Sequence, residues 1–254
     1  MAELSKQRRI ALLDEIRGFC ILCMVLYHGF YLLGAYTRFA FFSAWFRFFQ
    51  PVEFLFAASF ILISGICTQF SRSVLLHGCK LAGIAACISV ITVFLLPRIG
   101  YTDFADKFGI LHLLSFSMLF CGFLHKVLCK GSPLLWSVVF LCLFCCTCSL
   151  ERGYFGVPFL QISIPEKLTA SPYLFPLGFH GRDFFSADYF PILPNLFIFL
   201  IGTQAGRVLQ ARPLSERAYL THVPPLAFLG RHSLTLYLAH VPLIWVIILI
   251  IERF

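Results

Sequence analysis

The chain has 254 residues, 59% hydrophobic and 13% charged, with a mean hydropathy of +0.87 and a formal net charge of +8. Soluble domains carry about a quarter of their residues as charges, so this composition excludes that class and indicates an integral membrane protein. No basic stripe with interleaved aromatics supports nucleic-acid binding. The positive charge is read instead as topology and as attraction to anionic lipid or ligand.

Seven apolar runs are long enough to cross roughly 30 Å of hydrocarbon: 16–36, 52–70, 81–96, 110–128, 134–150, 193–209 and 234–251. The expected architecture is all-α, a polytopic bundle of about seven transmembrane helices filling residues 1–254 as a single domain. The first run follows a basic segment but lacks a small-residue cleavage site, so it is read as a retained helix rather than a signal peptide. With the N-terminus inside, twelve of the twenty Lys and Arg residues fall on inner segments, and this bias predicts a cytoplasmic N-terminus.

Within the first run, LDEIRGFCILCMVLYHG carries Asp14, Arg17 and His28. Eleven helical steps of about 100° return Arg17 and His28 to one stripe, separated by a rise of about 16 Å. An ionisable group at membrane depth is costly to desolvate and is a functional candidate by default; the plain alternative is a histidine that only bonds helices together. The aromatic stretch 38–50 is expected at the outer interface, before Pro51 opens the second helix.

Further along, Ser64 and Gly65 lie near the inner end of the second run, followed by Arg72 and Lys80. His112 opens the fourth run in KFGILHLLS. Residues 151–190 form the longest non-spanning stretch and are expected to fold over the outer mouth of the bundle, since long ordered loops commonly act as lids or binding segments. Asp188 precedes the sixth run in SADYFPILP, where it has the chemistry of a helix cap. In the last run Ser233, Tyr237 and His240 fall close to one helical face, just after Arg231.

The eleven cysteines lie in or at the ends of the apolar runs. Cys142, Cys145, Cys146 and Cys148 have metal-like spacing but no histidine or carboxylate beside them, so they are read as small packing residues, and neither a disulfide framework nor a metal is expected.

The order LDEIRG-x9-H, FILISGI, FGILHLL, DYFPILP and FLGRHSLTLYLAH resembles the small bacterial DUF1624 family over nearly the whole chain. That family is similar to the catalytic domain of heparan-α-glucosaminide N-acetyltransferase and, more distantly, to the acyltransferase-3 membrane proteins, whose Arg-x10-His pattern matches Arg17 and His28. The resemblance implies transfer of an acyl group, usually acetyl from cytosolic acetyl-CoA, to a hydroxyl or amine of an extracytoplasmic glycan or small-molecule acceptor, in a multi-pass protein of the bacterial cytoplasmic membrane. The catalytic histidine of the heparan enzyme lies in the loop after its first helix, whereas this chain has no histidine between Tyr31 and Ser73. The role of His28 therefore rests on the acyltransferase-3 pattern, and glucosamine is not carried over as acceptor.

On this reading His28 is general base or transient acyl carrier, since imidazole titrates near the working pH. Asp14 and Arg17 lie below it. Arg17, Arg72, Lys80 and Arg231, with Ser64 and Gly65, form the donor side, where guanidinium and ammonium groups suit phosphate oxygens. Asp188 and His112 line the acceptor side, and His240 orients substrate or the base. The partners expected are acyl-CoA, the acceptor and the lipid bilayer; a homodimer is one way for so short a chain to complete the pathway. The main rival is a proton-coupled transporter or flippase using His28 and Asp188 as a relay, although no internal repeat of the usual transporter kind is visible. A second rival is a non-catalytic assembly or sensory protein whose histidines only lock helices, for which His28 would tolerate Gln or Asn.

Overall fold

The computed structural model describes residues 9–251 apart from 102, 182 and 213. The helices are α1 (Ala11–Tyr36), α2 (Ala40–Phe49), α3 (Glu53–Thr68), α4 (Val74–Ser89), α5 (Ile110–Phe123), α6 (His125–Leu128), α7 (Pro133–Thr147), α8 (Glu166–Thr169), α9 (Ile192–Ala211), α10 (Pro224–Arg231) and α11 (Ser233–Ile251). A hairpin of β1 (Tyr154–Val157) and β2 (Leu160–Ser163) lies between α7 and α8. Among the described residues six helical stretches are long and apolar enough to cross a membrane. The expected fourth span is the exception. Its helix stops at Phe123 after 14 residues, because Leu124 leaves helical geometry and α6 restarts the chain.

Two further boundaries differ from the sequence reading. Most of the aromatic stretch, Ala40–Phe49, is itself helical and runs through a 3-10 turn at Gln50–Val52 into α3, with Pro51 at the turn where its missing N–H costs nothing. Residues 81–96 are the later part of a longer span that starts at Val74 and passes through a π-helical turn at Val90–Leu95.

The chain groups into two compact units: Met1–Ile63 with Arg212–Phe254, and Ser64–Ala211. In the first, α1 lies against α2, α10 and α11. The approach of α1 to α10 is backbone to backbone. A Cβ on Gly18 would overlap the Leu226 carbonyl, and one on Gly230 would overlap the Asp14 carbonyl. Glu15, buried on α1, reinforces this crossing: its Oε1 accepts the N–H groups of His222 (2.6 Å) and Val223 (2.8 Å), satisfying donors at the start of α10. At the other end of α1, Phe30 stacks on Phe49 and Trp45 while Tyr27 and Tyr31 pack on Phe46, so α2 is held by its aromatic face.

In the second unit α4 packs on α5, and α9 packs on α5 and α7. Phe199, Leu200, Thr203 and Gln204 of α9 are almost wholly buried. The end of α3 meets α9 at glycines: Gly65 lies against the Phe199 carbonyl, and a Cβ on Gly206 would stand 2.6 Å from the Ile66 carbonyl. The loop 151–190 has two characters. Its β1–β2 hairpin is exposed, with Phe159 fully so and Leu160 at 75%. Its later part carries a packed aromatic group in which Phe184 stacks on Phe175 and His180.

The Gly18–Gly230 crossing predicts a sharp positional contrast. Gly18→Ala or Gly230→Ala forces backbone apart and costs at least the ~1–3 kcal/mol of overpacking, read as lost monodispersity and melting temperature in detergent. Gly29→Ala, whose Cβ would meet only Ile244 Cδ1 at 3.9 Å, leaves both unchanged.

Candidate functional site

Each unit gathers its own polar residues. In the first, Asp14 is nine-tenths buried and engaged from two sides: Arg9 grips both its oxygens, with Nη2 to Oδ1 at 2.9 Å, and Arg17 Nη1 stands 3.8 Å from Oδ1. Asp14 is thus an ion-pair partner. Along a helix it lies about 21 Å in rise from His28, too far to act on it directly. Arg17 sits about 16 Å from His28 on the same stripe. Arg231 is exposed in the last turn of α10, where the helix dipole favours a cation.

His28 is half-buried and faces His240 of α11 edge-on, with ring centroids 5.2 Å apart and planes at 83°. His240 is 6% exposed, and its Nδ1 lies 2.5 Å from the Tyr237 carbonyl oxygen. A carbonyl only accepts, so Nδ1 carries the proton, and in the neutral ring Nε2 is the basic nitrogen. Pro242, two residues further along α11, has no N–H to give the Leu238 carbonyl, the neighbour of the Tyr237 carbonyl that His240 engages. Tyr27 edges onto His28 at 5.6 Å and Tyr237 tilts against His240 at 5.5 Å, so an aromatic wall flanks the pair.

In the second unit the polar group forms at the start of α5. Residues 105–108 and 187–190 are joined by backbone bonds, Ala187 N–H to Ala105 O at 2.8 Å and Phe190 N–H to Phe108 O at 3.0 Å. Ser186 Oγ accepts from Lys107 N–H (3.0 Å) and donates to Asp106 Oδ1 (3.4 Å). This juncture aims two carboxylates at one spot. A Cβ on Gly109 would stand 2.7 Å from Asp106 Oδ2 and 2.8 Å from Asp188 Oδ2, so only glycine leaves room for the pair. Asp188 Oδ2 accepts the Ile110 N–H at 3.2 Å. It therefore serves the N-terminus of α5, which its sequence neighbours do not suggest.

Asp106 escaped the sequence reading although it is 93% buried. Burial raises its pKa from an ordinary 3.8 to about 7, and the Asp188 carboxylate pushes the same way, with the Ser186 hydroxyl opposing them. His112, expected on the acceptor side, has both ring nitrogens committed. Nδ1 accepts from Gly109 N–H at 3.2 Å, and Nε2 therefore donates to Ser89 Oγ, also 3.2 Å, which in turn donates to the Asp106 carbonyl at 2.7 Å. In this arrangement the ring ties α4 to the loop before α5.

Of the donor-side residues, Arg72 and Lys80 are exposed, the first between α3 and α4 and the second on α4. Ser64 and Gly65 are buried in α3, and Gly65 makes the close helix crossing described above. Among the described residues no group of three or more His, Cys, Asp or Glu side chains is arranged to hold a metal ion.

Asp106 generates a pH prediction. The folded chain keeps its proton up to about pH 7, whereas the unfolded chain releases it near 3.8. Its contribution to stability is thus complete below the unfolded value and is lost as pH rises through about 7. Melting curves of wild type and Asp106→Asn between pH 5 and 8 should show an alkaline loss of stability in wild type that the variant reduces.

Among known proteins, the profile of one family, heparan-alpha-glucosaminide N-acetyltransferase, catalytic, matches residues 9–242. No curated protein and no solved structure matches the chain. The matched segment runs from Arg9, which grips Asp14, through His28 and both carboxylates to Pro242 beyond His240. The chain therefore belongs to the heparan-α-glucosaminide N-acetyltransferase catalytic family, a family of membrane acetyltransferases.

Proposed function

We propose that this protein moves an acetyl group from acetyl-CoA to a hydroxyl or amine of an extracytoplasmic glycan or related small-molecule acceptor, with His28 at the centre of the chemistry. The observation that carries this reading is the edge-on pair of His28 and His240, held between α1 and α11 with the tautomer of His240 fixed by the Tyr237 carbonyl. Attack on a thioester needs a group that accepts a proton from the incoming hydroxyl or amine, and a histidine with a second imidazole beside it meets that need. His28 takes the proton, and His240 orients it and shares the charge that develops.

Arg17 holds the donor about 16 Å along α1 from His28, a separation that suits a long, narrow molecule with its anionic end at one membrane surface. Arg72, Lys80 and Arg231, all exposed, attract the phosphates of the donor. In the second unit Asp106 and Asp188 serve an acceptor: a carboxyl that titrates near pH 7 can both receive a hydrogen bond from an amine or hydroxyl and hold its proton. The N-terminus is cytoplasmic in this scheme, following the bias of Lys and Arg toward that side, and the setting is a bacterial cytoplasmic membrane.

Thermal shift of purified protein with acetyl-CoA, using unacylated CoA as control, tests the donor and the histidine together. Saturable stabilisation is expected in wild type and in His28→Ala, and is reduced in Arg17→Ala and Arg72→Ala. Acetyl transfer falls by about 100-fold or more in His28→Ala, the range of a general base. Absence of stabilisation by any acyl-CoA in monodisperse protein would overturn the reading.

A further inference from the structure

The second unit contains a cavity of about 330 Å³ lined by Thr68, Gln69, Ser71, Thr203, His125 and Cys129, among others. Its size falls in the range of small-molecule sites, and its walls carry hydroxyls and amides beside a thiol and an imidazole. Cys129 Sγ and His125 Nε2 are 3.4 Å apart, one turn from each other across α6.

The backbone under this pair is held by Arg207 of α9. Its Nη1 donates to the Leu128 carbonyl (3.0 Å) and Gln204 Oε1 (2.7 Å), and its Nη2 to the carbonyls of Cys129 (2.8 Å) and Gly131 (3.2 Å). All four acceptors are neutral, so the guanidinium keeps its charge one peptide away from the thiol. A partly exposed cysteine with an imidazole in reach and a cation nearby is the environment in which thiols act as nucleophiles. Cys20, Cys23 and Cys121, by contrast, are buried and suit a packing role, whereas Cys142, Cys145 and Cys148, read from sequence as small packing residues, are exposed.

We propose that Cys129 is an acyl acceptor: it takes the acyl group of a CoA thioester whose amide-bearing arm lies in this cavity, forming an S-acyl cysteine. This rests on the acyl-CoA reading above. His125 Nε2 takes the thiol proton and the thiolate of Cys129 adds to the thioester carbonyl. The tetrahedral adduct collapses, breaking the bond between the acyl carbon and the CoA sulfur, and the imidazolium returns the proton to the departing CoA thiolate. One thioester is exchanged for another, with no oxidation or reduction. The hydroxyls of Thr68, Ser71 and Thr203 and the amides of Gln69 and Gln210 provide hydrogen-bonding partners for the amides of the arm.

The test uses the full-length protein in detergent with acetyl-CoA labelled in its acetyl carbonyl. The label should become protein-bound, be released by neutral hydroxylamine and map to the peptide carrying Cys129. Cys129→Ser should abolish it, His125→Gln should slow its appearance by about 100-fold, and Cys121→Ser should leave it in place. Mapping on the wild type does not depend on any variant folding. Label spread equally over exposed cysteines such as Cys79 and Cys87 would overturn the proposal. So would the absence of label in protein that acetyl-CoA still stabilises against heat, an outcome that leaves the donor reading standing. Absence of both label and stabilisation would remove the two together.

Discussion

The backbone contact between Gly18 and Gly230 sets the geometry of the first unit. Two helices approach this closely only where neither has a Cβ, and the short α10 runs almost directly into α11. Fixing α10 against α1 therefore fixes where α11 starts, and with it the level at which His240 meets His28. Glu15 adds a charge-assisted bond to the same crossing by taking two N–H groups at the start of α10. The histidine pair is held by packing of the backbone some distance from it.

Within apolar surroundings each ionisable group must be matched locally, and the two units do this differently. Asp14 is neutralised by Arg9 and Arg17 near the start of α1, and the eleven positions from Gly18 to His28 carry no carboxylate. At the start of α5 two carboxylates are brought together instead, Asp188 eased by a helix N–H and Asp106 kept protonated to about pH 7. His112 lies one turn inside that helix, yet its protons are fully assigned.

What was legible in the sequence follows from periodicity and length. The apolar runs marked the long helices, and the 100° step placed Arg17 and His28 on one stripe. What was not legible depends on partners remote in the chain. Asp106 looks like an ordinary loop acid beside Lys107; its burial comes from the strand-like juncture with residues 187–190. Asp188 had the local chemistry of a cap for the helix that follows it, whereas its bond to the Ile110 N–H depends on that juncture. Gly18 and Gly230 carry no sign of their crossing, although a glycine directly after Arg17 in a helix that spans a membrane was the available hint.

In the proposed function His28 is the group through which an acyl transfer across the membrane proceeds. The most direct test reconstitutes the protein in sealed vesicles, supplies labelled acetyl-CoA on one side only and traps amino- and hydroxy-glycans on the other. Labelled, acetylated glycan should accumulate with the trapped acceptors in wild type and fall to background in His28→Gln reconstituted in equal, folded amount. Equal accumulation in His28→Gln, or no labelled glycan from wild type that binds acetyl-CoA, would contradict it.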